Sequence, residues 1–304
     1  MLATLLAANP ARAQVVEFAI DPNRSTLRAS STVLFGGMPL GSYLQGPDSD
    51  LAHYTGALVV ELTSSTIRLA PGTILIAGNS GDWLPGTDYS RYPGDLDDPN
   101  GYVRTPAPAN YGIVTDLTPL GAVIGVRGLS PSATRNLQIT LIDAAAKALV
   151  CGEFDEGGTP TDFVSGTIYY SSGGSPPSTN MVSTISPALT ASVADPAWLG
   201  KDGTTQVLTL PVSSLTTYFI NFLVVQLRYE GTIVAVRDAT GEFVAGDLNG
   251  DDQVDAADLA EFCACMTGPG AFVPPCECRE ADLDADRDAD LLDFARLQRF
   301  ANEP

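Results

Sequence analysis

The chain has 304 residues and a formal net charge of −20, which leaves room for one large domain and one small domain. Residues 247–304 hold 15 acids and 4 bases, a net of −11, so more than half of the charge lies near the carboxyl end. This balance disfavours nucleic acids and anionic membrane surfaces as partners, because both bind through Lys and Arg. Beyond the first residues, no apolar stretch is long enough to predict a membrane span.

The first residues are typical of the end of a secretory signal. Residues 1–8 form an apolar run, and Ala11-Arg12-Ala13 before Gln14 has the small-x-small form of a cleavage site. We expect residues 1–13 to be a signal-peptide remnant and the protein to be secreted, extracellular or at the cell surface. A basic segment is missing before the apolar run, so the signal either starts upstream of Met1 or is trimmed here. The alternative is a disordered apolar start.

Residues 14–238 have a β pattern throughout. Short runs rich in Val, Ile, Thr and Tyr alternate with clusters of Gly, Pro, Ser and Asn. About ten strands without intervening helices predict a mainly β fold, a large antiparallel β-sandwich or barrel. Residues 142–151 could instead form a short helix, or a strand ending at Cys151. The predicted strands are residues 15–20, 26–35, 52–61, 64–69, 73–77, 121–126, 137–141, 163–170, 206–210 and 217–236.

Catalytic patterns are scarce in this β-domain. The only histidine is His53, in an alternating Ala-His-Tyr-Thr-Gly segment, and no Gly-x-Ser-x-Gly elbow accompanies it. We interpret His53 as a surface or packing residue and predict no catalytic residues. Glycoside hydrolysis needs only two carboxylates roughly 5–10 Å apart, so Asp116, Asp155 and Glu156 keep a hydrolase open as an alternative.

An insert rich in aromatic residues interrupts the strand pattern at residues 81–112. Loops of this length in compact domains are usually functional or disordered. Exposed aromatic rings beside acids and amides can stack on sugar rings, which makes a polysaccharide a possible ligand. Alternatively, these rings cover the end of the β core. The aromatic residues are Trp83, Tyr89, Tyr92, Tyr102 and Tyr111.

Four of the five cysteines form two C-x-C pairs, Cys263/Cys265 and Cys276/Cys278. In an oxidising compartment we expect the two pairs to cross-link each other, with the connectivity open. A zinc site made of four thiolates is the alternative. Cys151 is then left over, and we expect it to be buried and inert.

An acidic pattern occurs twice near the carboxyl end, at an offset of 35 residues. Side-chain oxygens at positions 1, 3, 5, 9 and 12 of a 12-residue loop, with a backbone carbonyl at position 7, can surround a calcium ion. Helix-like apolar spacing follows each loop: Leu259, Phe262 and Met266, then Phe294, Leu297 and Phe300. A solvated acidic tail would explain neither feature, so we predict about two calcium ions. The predicted ligands are Asp247, Asn249, Asp251, Gln253, Asp255 and Asp258, then Asp282, Asp284, Asp286, Asp288, Asp290 and Asp293, with Gln253 and Asp288 giving backbone carbonyls.

This repeated loop-helix unit resembles the type I dockerin of secreted bacterial proteins over roughly residues 245–301, and position 12 is Asp in both loops, as in that family. The resemblance implies a small α-helical module at residues 246–304, after a linker at 239–245. It also implies a cohesin-like or other protein partner, recognised partly through positions 10 and 11, which are Ala256-Ala257 and Leu291-Leu292. These unlike pairs argue against a fully symmetric dual binding mode.

Two loop positions depart from the dockerin pattern. Position 6, usually Gly because its φ is positive, is Asp252 in the first loop and Arg287 in the second. Position 8, usually a branched aliphatic residue, is Val254 and then Ala289. The second loop therefore departs further from the pattern than the first.

Two functions from different classes fit the sequence. The leading hypothesis is a secreted, non-catalytic β-domain protein that uses a calcium-dependent dockerin-like module for attachment or assembly. The alternative is a secreted polysaccharide-degrading glycoside hydrolase, or a carbohydrate-binding subunit of one, that carries a dockerin.

Overall fold

The computed structural model describes residues 13–44, 51–78, 89–93, 102–106, 111–116, 129–170, 178–180, 188–190, 196–220, 223–266 and 276–302. The structure is mainly β, as the strand pattern predicts. Its strands are β1 (Gln14–Ile20), β2 (Thr26–Phe35), β3 (Met38–Leu44), β4 (Leu51–Leu62), β5 (Thr66–Leu69), β6 (Ile74–Ala77), β7 (Tyr89–Pro93), β8 (Tyr102–Pro106), β9 (Tyr111–Asp116), β10 (Leu129–Leu141), β11 (Lys147–Ala148), β12 (Glu153–Phe154), β13 (Thr161–Tyr170), β14 (Ser178–Asn180), β15 (Ala197–Asp202), β16 (Thr205–Ile220) and β17 (Leu223–Asp238).

All strand pairs in the described residues are antiparallel, and 15 strands belong to one sheet. The pairing returns on itself, since β4 pairs with both β6 and β2, and the path from β6 to β2 runs through β10, β9 and β3. The longest ladder joins β16 to β17 from Thr205↔Asp238 to Ile220↔Leu223. Next to this hairpin, β15 pairs with β16, and the two-residue strand β12 pairs with β15. The module described below packs against β15.

The core of the β-domain follows from alternation along the strands. In β1, β2 and β4 every second side chain is buried over much of the strand, and Phe18, Tyr54 and Leu58 are fully enclosed. Burial of one face leaves the other face for polar side chains, which is the period-2 pattern used to predict these strands.

Two sequence predictions about the β-domain are wrong. Residues 142–151 form neither a helix nor a strand ending at Cys151; they contain the two-residue strand β11, then a bridge at Val150 and a turn. The run predicted as one strand over residues 217–236 is divided between β16 and β17 of the long hairpin, because the apolar pattern continues through both arms. The predicted strand at residues 121–126 lies outside the described residues.

The carboxyl-terminal part is helical. It contains α1 (Ala256–Cys265), a 3₁₀ helix (Cys276–Ala281) and α2 (Leu291–Phe300). Its own small core includes Phe262, Leu283 and Leu297, and the Phe262 and Phe294 rings lie 5.8 Å apart between centroids. Of the residues whose spacing predicts the first helix, Phe262 is buried while Leu259 and Met266 are exposed. None of the described helices has the length and apolar character needed to cross a membrane.

The cysteines pair only partly as expected. Cys265 and Cys278 form a disulfide that joins α1 to the 3₁₀ helix, which confirms a cross-link between the C-x-C pairs and contradicts a zinc site of four thiolates. Cys263 is exposed and free. The expectation that Cys151 is left over, buried and inert is wrong, because Cys151 is half-buried and disulfide-bonded.

Candidate metal centre

The two acidic loops have the same network of hydrogen bonds between carboxylates and the backbone. In the first loop Asp247 accepts from the backbone N–H groups of Asp251 at 3.1 Å and Asp252 at 2.8 Å. In the second loop Asp282 accepts from the equivalent N–H groups of Asp286 at 3.2 Å and Arg287 at 3.0 Å. The offset of 35 residues is thus a repeat of structure as well as of sequence.

Position 12 closes each loop onto its helix. Asp258 accepts the backbone N–H of Asp255 at 2.7 Å and of Leu248 at 2.7 Å, and its side chain is fully buried. Asp293 does the same with Asp290 at 2.8 Å and Leu283 at 2.7 Å. Each makes a capping box with the preceding N-cap aspartate, so one carboxylate fixes both the helix start and the loop entry.

The backbone turns at position 6 as the loop pattern requires. Asp252 has φ +66° and Arg287 has φ +79°, in the left-handed region that favours glycine. Position 4 is also left-handed, with Gly250 at φ +77° and Ala285 at φ +62°. The second loop therefore adopts the turn with two non-glycine residues where the first uses one.

The second loop contains two groups of three neighbouring carboxylates, and Asp293 belongs to both. Oxygens of Asp282, Asp284 and Asp293 lie within 4.8 Å of one another, and so do oxygens of Asp286, Asp288 and Asp293. Asp284 Oδ1 is buried and has no hydrogen-bond partner in the structure. A buried carboxylate oxygen without a donor is costly unless a cation neutralises it. These hard oxygen donors fit calcium, which takes six to eight oxygens.

The pKa values of the carboxylates differ between the two loops. Burial raises the pKa of Asp282 to about 7, and burial together with the charges of Asp293 and Asp286 raises the pKa of Asp284 to about 6. Burial also raises the pKa of Asp293. The pKa of Asp258 is lowered, because backbone N–H donors from Asp255, Leu248 and Asn249 outweigh its burial. Without a bound cation, the ionised state of these carboxylates in the second loop is therefore less favourable than that of Asp258 in the first.

The side chains at positions 10 and 11 face solvent. Ala256 and Ala257 are exposed at the start of α1. Leu291 is 68% exposed and Leu292 61% exposed at the start of α2, although both are large apolar residues. An exposed leucine pair beside an acidic loop is a suitable surface for a protein contact.

Residues 245–302 match the family model of the dockerin type I domain. The C-terminal module is a type I dockerin. It is therefore a calcium-binding module for protein–protein interaction, with a cohesin-type protein as the implied partner. The match covers the module only, and the chain matches no curated protein and no solved structure.

The other residues singled out from the sequence do not assemble into a second site within the described residues. His53 Nδ1 donates to the Pro22 carbonyl at 2.9 Å on the exposed face of β4. Glu156 is buried and accepts the Ala197 N–H at 3.2 Å, while Asp155 accepts the Gly157 N–H at 2.7 Å. The side chains of Asp116 and of the five aromatic residues of the 81–112 insert lie outside the described residues.

Sequence reasoning missed the contact between the dockerin and the β-domain. Trp198, Arg279 and Arg287 meet there; Trp198 and Arg279 belong to no motif singled out from the sequence, and Arg287 is position 6 of the second loop. The one signal available was Arg287 itself, a bulky residue at a loop position where glycine is usual.

Proposed function

We propose that this chain is a secreted attachment protein. A β-domain at residues 14–238 is joined through residues 239–245 to the dockerin at 246–304, which holds the protein on a cohesin-type partner when calcium is bound. The observation that carries this proposal is the repeated carboxylate network of the two loops, with Leu291 and Leu292 exposed at the start of α2.

Each loop binds one calcium ion in this proposal, and calcium supplies the positive charge that the carboxylates need. The sequence leaves the position 7 carbonyl of each loop as a further oxygen donor. The position 12 carboxylates link the metal site to the start of each helix, so metal binding and folding of the module are coupled. The ligands are Asp247, Asn249, Asp251, Gln253, Asp255 and Asp258 in the first loop, and Asp282, Asp284, Asp286, Asp288, Asp290 and Asp293 in the second.

The disulfides support export. The Cys265–Cys278 bond and the bonded state of Cys151 are stable in an oxidising compartment and rare in a reducing one. This is consistent with the signal-like start of the sequence.

A non-catalytic β-domain is favoured by the roles of its described acidic residues. Asp143 is buried, accepts the Leu69 N–H at 2.9 Å and pairs with Lys147 at 3.2 Å. The Glu156 carboxylate accepts a hydrogen bond from the backbone N–H of Ala197. These carboxylates support the fold, and nothing in the part of the β-domain that the structure describes specifically favours the hydrolase alternative.

The test uses the full-length chain with calcium and with a chelator. Isothermal titration with calcium should give about two ions per chain, and a purified type I cohesin should capture the chain only when calcium is present. A chain that binds no calcium, or that no type I cohesin captures, would contradict the proposal. A polysaccharide panel assayed for binding and for turnover tests the β-domain, and release of reducing sugar would overturn the non-catalytic assignment.

A further inference from the structure

Trp198 of β15 is buried by both parts of the chain. Its side chain is 2% exposed and packs with Val207 and Val234 of the long hairpin and with Ala285 of the second dockerin loop. Ala285 is position 4 of that loop, where the backbone is left-handed. The second dockerin loop is therefore part of the surroundings that bury this tryptophan.

Two arginines of the dockerin lie against the same indole. The Arg279 guanidinium is 4.9 Å from the Trp198 ring, and that of Arg287 is 5.6 Å from it. Arg287 Nη2 also donates to the Pro196 carbonyl at 2.7 Å, and Arg279 pairs with Glu153 at 3.6 Å. Arginine on an indole face with a backbone acceptor beyond it is a specific docking contact.

Ion pairs surround this contact. Lys201 of β15 pairs with Glu280 at 2.5 Å, and Asp202 pairs with Arg296 of α2. These pairs are partly exposed, so they orient the two surfaces and add little energy. Trp198 and its two arginines form the centre of the contact.

Arg287 links the second metal loop to the contact with the β-domain. The Arg287 N–H donates to Asp282, the position 1 carboxylate, while the Arg287 side chain contacts Trp198 and Pro196. A change in the conformation of this loop must therefore move a docking residue. In the first loop the equivalent residues Gly250 and Asp252 are exposed to solvent.

We propose that the second dockerin loop is an intramolecular anchor that closes over Trp198 when it binds calcium, while the first loop stays open to solvent. The partner of the Trp198 surface is thus a segment of this chain, residues 285–287. This rests on the proposed calcium binding. Since linkage is reciprocal, contact with Trp198 must also strengthen calcium binding in the second loop.

The test uses full-length Trp83→Phe protein, in which Trp198 is the only tryptophan. Quenching of its fluorescence by acrylamide should be weak with calcium and should increase when calcium is chelated. Asp282→Asn, at position 1 of the second loop, should give the strongly quenched state even with calcium. The matched Asp247→Asn variant of the first loop should keep Trp198 shielded.

Two further variants test reciprocity from either side of the contact. Arg287→Ala keeps the positive-φ strain of a non-glycine residue but removes the guanidinium, and Trp198→Leu alters only the β-domain. Each should weaken calcium binding at one of the two sites by roughly fivefold or more. A separate unfolding measurement confirms that the β-domain of the Trp198→Leu chain is folded.

The outcomes separate this inference from the proposed function. Absence of calcium binding in the Trp83→Phe chain would contradict the proposed function itself. Two bound calcium ions with equal quenching in calcium and chelator would overturn the anchor alone. Equal effects of Asp247→Asn and Asp282→Asn on quenching would also overturn it, because the anchor belongs to the second loop.

Discussion

Asp258 and Asp293 occupy the same place in their two loops and accept the same backbone hydrogen bonds, yet the pKa of Asp258 is lowered and that of Asp293 is raised. Both side chains are fully buried. The difference lies in the balance of causes: burial is the main cause that raises the pKa of Asp293, and the nearby charge of Asp286 adds to it, whereas backbone N–H donors outweigh burial at Asp258. The two loops follow the same motif, but the pKa of the carboxyl group at position 12 is shifted in opposite directions.

Replacing Asp258 should destabilise the dockerin even without calcium. Asp258→Ala leaves the N–H groups of Leu248 and Asp255 without their acceptor, which costs about 2 kcal/mol or more. Chemical denaturation of the full-length chain in chelator, followed by the helical circular dichroism signal, measures the loss. The Asp258→Asn variant retains one acceptor oxygen and should lose less, and equal losses would contradict this account.

Stability of the calcium-free dockerin should fall as the pH rises. Burial raises the pKa of Asp282 to about 7 and of Asp284 to about 6 in the folded chain, while unfolded aspartates titrate near 4. From about pH 4 to about pH 7 the folded loop holds more protons than the unfolded chain, so rising pH favours unfolding. Thermal unfolding in chelator at several pH values measures the slope.

Asp284→Asn provides the control for this pH dependence. The asparagine removes one of the three carboxyl groups of this loop whose pKa is raised, so the slope of stability against pH should become shallower. A calcium-free dockerin that becomes more stable between those pH limits would contradict the raised pKa values.

The disulfide pattern should include a link from the β-domain to the dockerin. Cys265 pairs with Cys278, Cys263 is free and Cys151 is bonded, so the sequence leaves Cys276 as the partner of Cys151. Non-reducing peptide mapping should find both links, and a maleimide should label Cys263 in the native protein. A Cys151 peptide that carries a free thiol would contradict this prediction.

The exposed leucine pair should carry partner binding. Leu291→Asp with Leu292→Asp removes the large apolar surface at the start of α2 and should abolish cohesin capture. Calcium affinity should stay nearly unchanged, because neither side chain is a proposed ligand. Titration calorimetry and a calcium-dependent pull-down measure the two effects.

A matched control for the leucine pair comes from the β-domain. Val15 of β1 is 65% exposed, and Val15→Asp should leave capture intact. Undiminished capture of the double leucine variant would place the recognition surface elsewhere on the dockerin.

Much of the fold could be predicted because its signals are local. Strand β2 has the predicted bounds, and β1, β4, β5 and β6 differ from prediction by one or two residues at their ends. The β16–β17 hairpin was misread because residues on both arms share one apolar pattern, so only their pairing separates them. The ring of strands, from β4 through β10 and β2 back to β4, joins residues far apart in sequence and leaves no local signal.

The sequence alone determined the dockerin and predicts its calcium ligands, because twelve consecutive residues contain every donor that a calcium loop needs. Only the tertiary structure decided what the exceptional residues do. Arg287 looks like a defect at a glycine position, yet it reaches the carbonyl of Pro196, 91 residues earlier. Cys151 looks unpaired by spacing, yet it is bonded. Contacts between residues far apart in sequence depend on how two folded surfaces pack against each other. A local sequence pattern carries no information about that packing.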